Sequence, residues 1–260
     1  MDLTVASRCG VDRAASEDRW VALTGDGTVL LAVADGMGGT LGGGEAATAA
    51  LAALVDHLST LPPGAAALTA AVRVAHQRVR TLATSTVPVP LRPGTTLTAV
   101  LAVDSRLHLA HAGDSSAWLL RRGRLRRLTE VHSQGAALVA AGAVAAGSPA
   151  ERRLDGLLTR FLGMPGSLHP QQSAVRLRPG DRVLVASDGV TRALGVPELA
   201  TLLARPGVRA TDLVDAAVAA GGRDDATALL AGVDTRPPGL NTRYAVHTGG
   251  QSLAGEVPAR

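Results

Sequence analysis

Apolar residues recur along this chain with two spacings, one typical of β-strands and one typical of α-helices. Short runs rich in branched residues and bounded by turn residues predict strands at 19–24, 28–34, 95–103, 106–112, 116–121, 124–128, 174–178, 182–186 and 226–233. Alanine, leucine and valine at helical spacing predict helices at 45–58, 65–84, 197–203 and 211–220. Strands and helices therefore come in blocks, an order that favours a layered α+β fold over alternating βαβ units.

The periodicity weakens in two segments. Residues 132–162 contain a stretch compatible with one helix, and they predict an insertion between strands. Residues 235–260 carry Pro237, Pro238 and Gly239 near their start and show no regular period. We therefore expect one domain over residues 1–234, followed by a flexible C-terminal tail over residues 235–260.

The composition is that of a globular protein. The chain has 260 residues, of which 46% are hydrophobic and 18% are charged, so it is long enough to bury a sizeable core. Its single cysteine, Cys9, excludes an intrachain disulfide and suits a reducing compartment. No apolar run reaches the roughly 18 residues of a membrane span, and the N-terminus lacks the apolar core of a signal peptide. We expect a cytoplasmic protein without a membrane partner.

The charge is mildly basic and comes from arginine alone. There are 26 arginines and no lysine against 22 acidic residues, which gives a net charge of +4. Two tryptophans, one tyrosine and one phenylalanine are too few for a surface that stacks nucleic-acid bases, so we expect no nucleic-acid partner. The arginines between residues 121 and 127 predict a solvated hairpin; docking of an acidic phosphoprotein or of a nucleic-acid backbone is the alternative for them.

Aspartates stand at or beside the ends of four predicted strands, each with a glycine nearby: Asp35, Asp114, Asp188 and Asp224. Hard divalent cations such as Mg²⁺ and Mn²⁺ prefer carboxylate and carbonyl oxygens, and glycine lets a turn present its carbonyl. Taken alone, each of these aspartates is more simply explained as turn chemistry, because Asp-Gly is a common turn pair. Together they indicate a metal site if the strand ends meet in the fold.

The order of the motifs carries a resemblance that no single turn provides. Arg13 and Ser16-Glu17-Asp18 are followed by Val33-Ala34-Asp35-Gly36-Met37-Gly38-Gly39, Gly94-Thr95-Thr96, Ala112-Gly113-Asp114-Ser115, Ala186-Ser187-Asp188-Gly189 and Arg223-Asp224-Asp225-Ala226-Thr227. This series, spread over residues 5–234, resembles the metal-dependent serine/threonine protein phosphatases of type 2C, the PPM family, in their compact bacterial form.

The resemblance implies a fold and a metal site. The implied fold is a four-layer α-β-β-α sandwich of two antiparallel sheets flanked by helices. The implied site holds two Mn²⁺ or Mg²⁺ ions, with a third, weaker ion in bacterial members. By the resemblance, the metal-binding residues are Asp35, which bridges two ions, Gly36 through its carbonyl, Asp188 and Asp224 at the first ion, Asp114 at the third, and Glu17 and Asp18 through water.

The same resemblance implies an activity, which is hydrolysis of phosphoserine and phosphothreonine in proteins by a hydroxide that the two metal ions activate. Arg13 would bind the substrate phosphate, because a guanidinium can grip two phosphoryl oxygens at once. The candidate catalytic residues are thus Arg13, Asp35, Asp188 and Asp224. The expected partners are phosphorylated proteins, including those of a serine/threonine kinase, and the protein itself is expected to be a monomer.

Several positions depart from the family pattern. Ser16 and Asp225 stand where asparagine is common, and an Asp225 side chain that points into the site would add negative charge there. Thr40 replaces a frequent histidine, and Val131 stands where aspartate is usual. Met37 stands where many eukaryotic relatives carry a histidine that protonates the leaving group. These changes leave a second hypothesis open, a pseudophosphatase or binding module on the same fold, although no metal-binding aspartate is lost.

Overall fold

Two antiparallel β-sheets lie face to face in the structure, a computed structural model that describes residues 2–25, 27–38, 42–86, 93–233, 243–248 and 251–256. The first sheet has the strand order β1 (Asp2–Arg8), β11 (Ala226–Gly232), β10 (Arg182–Ala186), β7 (Ser116–Arg121) and β8 (Arg124–Arg127). The second has the order β13 (Gln251–Glu256), β12 (Arg243–Thr248), β2 (Asp18–Gly25), β3 (Thr28–Met37), β5 (Leu97–Val103), β6 (Arg106–Ala112) and β9 (Gln171–Arg176), and β4 (Gly94–Thr95) pairs with β3.

Helices cover the outer faces of both sheets. The second sheet carries α1 (Gly43–Leu58) and α2 (Ala65–Thr86), and the first carries α5 (Asp188–Thr191), α6 (Val196–Ala204) and α7 (Ala210–Ala219). Two short helices, α3 (Gln134–Ala140) and α4 (Pro149–Leu154), lie in the insertion between β8 and β9. The predicted α-β-β-α sandwich is confirmed. No helix within the described residues is both long and apolar enough to cross a membrane.

Three apolar layers hold this sandwich together, because neighbouring residues of a strand point to opposite faces of its sheet. On β3, Leu31 and Val33 pack between the two sheets, while Leu30 and Ala32 pack against α1 and α2. Strand β10 alternates in the same way between the inter-sheet layer and the helices of its own side. Both faces of these central strands are buried, so their sequences read as continuous apolar runs, which is why they could be predicted.

Two strands of the main sheets differ from the prediction. β1 is not predicted, because its side chains are exposed or half-buried and give no apolar run. It nevertheless pairs with β11 over its whole length, from Asp2 opposite Gly232 to Arg8 opposite Ala226. β9 begins at Gln171, three residues before the predicted start, because a strand at the edge of a sheet accepts polar side chains.

The C-terminal segment contains two strands that the sequence analysis does not predict. β12 pairs with β2, from Arg243 opposite Thr24 to His247 opposite Trp20, and β13 pairs with β12. Their sequences mix polar and small residues without an apolar period, so they are defined by backbone pairing rather than by pattern. The other residues of the predicted tail lie outside the described residues, as does Thr40, and the domain boundary at residue 234 stays a prediction.

The arginine-rich hairpin of β7 and β8 is solvated only in part. Arg121 donates two hydrogen bonds to the buried Asp181 carboxylate, at 2.6 and 2.9 Å. The Arg127 guanidinium lies 5.4 Å from the centre of the Trp118 ring and donates to the Asp114 carbonyl at 3.2 Å. Two arginines of the hairpin thus have partners inside the molecule, which leaves less cationic surface for a nucleic acid than the sequence suggests.

Candidate active site

An open cavity of about 770 Å³ lies where the ends of several strands meet. Asp35 stands near the end of β3, Asp114 follows β6, Asp188 follows β10 and Asp224 precedes β11. Asp18, at the start of β2, is buried beside them, opposite Asp35 in the strand register. Of the eight site residues predicted from the sequence, seven line this cavity, namely Arg13, Glu17, Asp35, Gly36, Asp114, Asp188 and Asp224.

Arg13 lies in the loop between β1 and β2 and is held by carboxylates on two sides. Its Nη1 is 2.6 Å from Glu17 Oε2, and its Nη2 is 2.7 Å from Asp224 Oδ1. Partial burial lowers the pKa of Arg13 and the charges of Asp224, Asp225 and Glu17 raise it, with a net rise. The guanidinium is therefore always charged, and its side chain remains 34% exposed to the cavity.

Asp225 anchors the loop that carries Arg13. Its Oδ1 accepts a hydrogen bond from the Gly10 amide at 2.8 Å, and its Oδ2 accepts one from the Glu17 amide at 2.7 Å. The side chain is almost fully buried and lies 3.6 Å from Arg13 Nη1. Asp225 therefore points at the backbone of the loop, and its role is to position Arg13 and Glu17.

Replacing Asp225 with alanine is expected to destabilise the protein. The buried Gly10 amide and the partly buried Glu17 amide would lose their acceptors. A fully buried loss costs roughly 1–3 kcal/mol and a partly buried one costs less, so we expect the free energy of unfolding to fall by about 2–4 kcal/mol. Asp225→Asn should cost less, because the amide side chain keeps one acceptor oxygen. Urea unfolding of both variants measures the difference, and an alanine variant as stable as the wild type would contradict this role.

A second arginine, Arg192, also lines the cavity. Its Nη2 is 2.7 Å from Asp114 Oδ2, and its Nη1 is 2.9 Å from Asp188 Oδ2. Sequence reasoning missed this residue, because an arginine four positions after an aspartate on a helix is typical of an ordinary surface ion pair. The structure shows instead that Arg192 links two of the predicted metal-binding residues.

Asp18 is tied to the turn that follows β10. Ser187 Oγ donates to Asp18 Oδ2 at 2.7 Å and accepts from the Thr227 amide at 2.9 Å. The other Asp18 oxygen, Oδ1, is buried without a hydrogen-bond partner, and so is Oδ1 of Asp188. Buried carboxylate oxygens of this kind cost free energy unless a donor or a cation meets them, so these two atoms point to a missing cationic or aqueous partner.

Burial and mutual repulsion raise the pKa of the clustered carboxyls. Burial raises the pKa of Asp18 to about 7, and hydrogen bonds to its carboxylate only partly oppose the rise. Burial and the charge of Asp188 raise the pKa of Asp114 to about 7, against the opposing charge of Arg192. The pKa of Asp35 is raised well above its ordinary value by burial and then by the charges of Asp18 and Asp188. Full ionisation of the cluster would therefore place more negative charge at the site than the protein itself neutralises.

This donor set suits a hard divalent cation. Carboxylates and the carbonyl of Gly36 are the oxygen ligands that Mg²⁺ and Mn²⁺ prefer, and the unpartnered oxygens are available to them. Across the part of the chain that the structure describes, however, no three His, Cys, Asp or Glu side chains already form a metal cage. Arg13 pairs with Asp224, and Arg192 pairs with Asp188, so a metal ion must compete with these guanidinium groups.

Close backbone approach explains the glycines next to two of the aspartates. A Cβ on Gly36 would overlap the carbonyl of Gly43 at the start of α1, and a Cβ on Gly189 would overlap the carbonyl of Asp225. Only glycine allows these turns to pack directly on the neighbouring backbone. The packing fixes Asp35 and Asp188, the residues that precede the two glycines, relative to the rest of the site.

Two histidines lie near the cavity but do not line it. The Gly113 amide donates to His132 Nδ1 at 3.1 Å, Arg160 Nη1 lies 2.9 Å from His132 Nε2, and the His132 ring stacks on His111 at 4.7 Å. Burial lowers the pKa of His111 to about 3 and that of His132 to about 4. Both are therefore neutral at pH 7, and they support the turn at Gly113 rather than the chemistry.

The metal-free protein is expected to lose stability as the pH rises from about 6.5 to about 8. In this window the folded Asp18 and Asp114 carboxyls, with pKa values of about 7, still hold protons that the unfolded chain has lost, so rising pH favours unfolding. Below pH 6.5 the lowered pKa values of His111 and His132 act in the opposite direction, because the unfolded chain then binds the extra protons.

The expected loss between these two pH values is about 2 kcal/mol, or several degrees in Tm. Thermal unfolding in EDTA at pH 6.5 and pH 8 measures it, and excess Mn²⁺ at pH 8 should reverse the loss. A Tm in EDTA that is equal or higher at pH 8 would show that the carboxyls are not protonated in the folded state.

The molecule is a layered α-β-β-α sandwich, and its strand ends present carboxylates and an arginine to one cavity. This arrangement is the one expected of a metal-dependent phosphatase. A family model described as protein phosphatase 2C matches residues 8–228. The chain belongs to the protein phosphatase 2C family, as the order of its sequence motifs predicts.

Individual relatives agree with this assignment. The serine/threonine protein phosphatase PstP of Mycobacterium tuberculosis is 34% identical over 241 residues, which are 86% of this chain and 43% of PstP. The serine/threonine phosphatase stp of Listeria monocytogenes is 28% identical over 214 residues, which are 79% of this chain and 84% of that protein. The crystal structure of the PstP catalytic domain with two manganese ions has a TM-score of 0.76 and 32% identity, and it covers 90% of this chain and 98% of that domain. The chain thus spans less than half of PstP.

Proposed function

We propose that this chain is a Mn²⁺- or Mg²⁺-dependent phosphatase that hydrolyses phosphoserine and phosphothreonine in proteins. The observation that carries the proposal is the convergence of Arg13 and of aspartates from four separate strand ends on one cavity. Membership of the protein phosphatase 2C family supports the same activity, as does the similarity to the PstP catalytic domain, which holds two manganese ions.

In this proposal the carboxylates at the strand ends hold two ions. When bound, the ions supply Lewis-acid chemistry, since they lower the pKa of water and stabilise charge on the entering and leaving oxygens. The unpartnered oxygens of Asp18 and Asp188 are the observation that fits this role. The residues that would hold the two ions are Asp35, Gly36 through its carbonyl, Asp188, Asp224, and Glu17 and Asp18 through water.

Arg13 is the residue that meets the substrate phosphate. Glu17 holds its Nη1, and the loop anchored on Asp225 fixes its backbone. Its Nη2, which pairs with Asp224, would be the group that donates to a phosphoryl oxygen once Asp224 served as a metal ligand. A guanidinium can donate two parallel hydrogen bonds to a phosphate, and this orients the phosphorus toward the carboxylate cluster.

The leaving serine or threonine oxygen needs a proton. Met37 lines the cavity, and no histidine, cysteine or tyrosine is among the described residues around it. The cavity is open to solvent, so we assign the proton to water within it. This differs from a mechanism in which a histidine at the position of Met37 protonates the leaving group.

The proposal extends to the setting of the enzyme. Phosphoproteins modified by a serine/threonine kinase are the proposed substrates, and a cytoplasmic monomer is the proposed form. The exposed free thiol of Cys9 is compatible with a reducing compartment. Chromatography with light scattering would measure the oligomeric state directly.

Hydrolysis of p-nitrophenyl phosphate and of a phosphothreonine peptide by the purified protein tests the activity. We expect turnover of both with Mn²⁺, loss of turnover in EDTA, and recovery when Mn²⁺ or Mg²⁺ is restored. Absence of turnover from protein that circular dichroism shows to be folded would overturn the proposal and favour the pseudophosphatase. Capture of an intact phosphoprotein on the immobilised chain would then be the decisive experiment.

A further inference from the structure

Arg192 occupies the space between two carboxylates that the family resemblance assigns to metal ions. Its guanidinium contacts Asp114 Oδ2 at 2.7 Å and Asp188 Oδ2 at 2.9 Å, and both of these side chains are only 9% exposed. Burial lowers the pKa of Arg192, but the charges of four aspartates raise it by more, so the net shift is upward. These residues are Asp188, Asp114, Asp155 and Asp35. The Arg192 guanidinium therefore lies among the negative charges on this side of the cavity.

We propose that Arg192 is a built-in cation that takes the place of a third metal ion at Asp114, so that this protein binds two divalent ions rather than three. The inference rests on the proposed function, because it takes the binding of the first two ions as given. It assigns Arg192 a positioning role, since the guanidinium fixes Asp114 and Asp188 without contacting the substrate.

The backbone places Arg192 for this role without strain. Its amide donates to the Asp188 carbonyl at 2.7 Å, so its side chain starts one helical turn from the carboxylate that it binds. The guanidinium is planar and presents its donors in a fixed fork, which matches two carboxylate oxygens side by side. Because the group is tethered, it is present at the site at a high effective concentration and does not depend on the supply of metal.

A metal ion at the same position would meet a like charge. Two positive charges a few ångströms apart repel each other strongly where water is partly excluded, so the ion could bind only after Arg192 had swung away. The Arg192 side chain is 49% exposed, which leaves room for such a movement. The metal ion and the guanidinium therefore compete for the same position, and the number of bound ions shows which of them occupies it.

The count is made on the purified protein by titration with Mn²⁺, with the free ion followed by electron paramagnetic resonance. We expect two bound ions in the wild type and three in Arg192→Ala, since Asp114 and Asp188 are then unpaired. Adding Asp114→Asn to Arg192→Ala should return the count to two. The matched control is Arg124→Ala, which removes an exposed arginine of the β7–β8 hairpin and should leave the count at two.

The outcomes separate this inference from the proposed function. A wild type that binds three ions overturns the inference and leaves the metal-dependent phosphatase standing, as does a folded Arg192→Ala that binds only two. A wild type that binds no Mn²⁺ contradicts the proposed function itself. If Arg192→Ala fails to fold, Arg192→Gln keeps the length of the side chain without its charge, and a count of two in that variant also overturns the inference.

Discussion

Replacing Asp35 with asparagine is expected to reduce hydrolysis of a phosphothreonine peptide by at least about 10²-fold, because changing even an indirect partner of a metal ligand costs about 10- to 100-fold. Asp35 lines the cavity, and the charges of Asp18, Asp188, Asp114 and Asp224 all act on it. The amide keeps the shape of the side chain but removes the negative charge that would hold two cations together.

The same substitution is expected to stabilise the metal-free protein. The pKa of Asp35 is raised well above its ordinary value by burial and neighbouring charge, so ionising this group at pH 8 disfavours the folded state. Asparagine removes that penalty, and we expect a higher Tm in EDTA than for the wild type. Loss of activity with a gain of stability distinguishes a metal-binding role from simple damage to the fold.

Asp215→Asn is the matched control for this variant. Asp215 pairs with Arg8 at 2.7 Å on the surface, where both side chains are more than half exposed, so its loss should change neither activity nor Tm appreciably. An Asp35→Asn protein that keeps wild-type turnover would refute the binuclear site. Unchanged turnover together with a raised Tm would place the metal ions elsewhere in the molecule.

Replacing Arg13 with alanine is expected to lower kcat/KM by about 10²- to 10⁴-fold, since two hydrogen bonds to a charged group contribute roughly 1.5–3 kcal/mol each. The affinity for Mn²⁺ should rise rather than fall, because Glu17 and Asp224 lose a competing cation. Arg13→Lys should recover only part of the activity, since an ammonium cannot form the two parallel bonds.

Steady-state kinetics and Mn²⁺ titration on the same preparations measure both effects. Arg8→Ala removes a surface arginine of equal charge and should behave as the wild type. If Arg13→Ala lost Mn²⁺ affinity in proportion to its activity, the guanidinium would be organising the carboxylates rather than binding phosphate, and its assignment would be wrong.

Much of this architecture could be predicted from the sequence, because the central strands are buried on both faces and have Asp-Gly pairs at or just beyond their ends. Asp35-Gly36 lies at the end of β3 and Asp188-Gly189 follows β10, so both aspartates could be picked out from the sequence. The convergence of these turns on one cavity did not follow from the pattern itself; it came from the resemblance of the ordered motifs to a family. The structure then supplied the distances.

The features that escaped prediction depend on contacts between distant segments. Asp225 reads as one more acidic residue of a turn, yet its carboxylate holds the loop around Gly10, more than 200 positions away. In the sequence, Arg192 is typical of a surface ion pair with Asp188. Only its contact with Asp114, which is distant in the sequence, makes it part of the site. β1 shows no apolar pattern, because pairing with β11 rather than burial of its side chains defines it.

The pairing of β1 with β11 has a consequence for how the protein is made. β11 inserts between β1 and β10, and Asp224 lies just before it, so the last strand of this sheet to be synthesised joins the first strand to the rest of the sheet. A nascent chain on the ribosome that still lacks β11 has Arg13 and Asp35 but neither Asp224 nor the strand that holds β1 in place. Unfinished or prematurely terminated chains therefore lack a complete site.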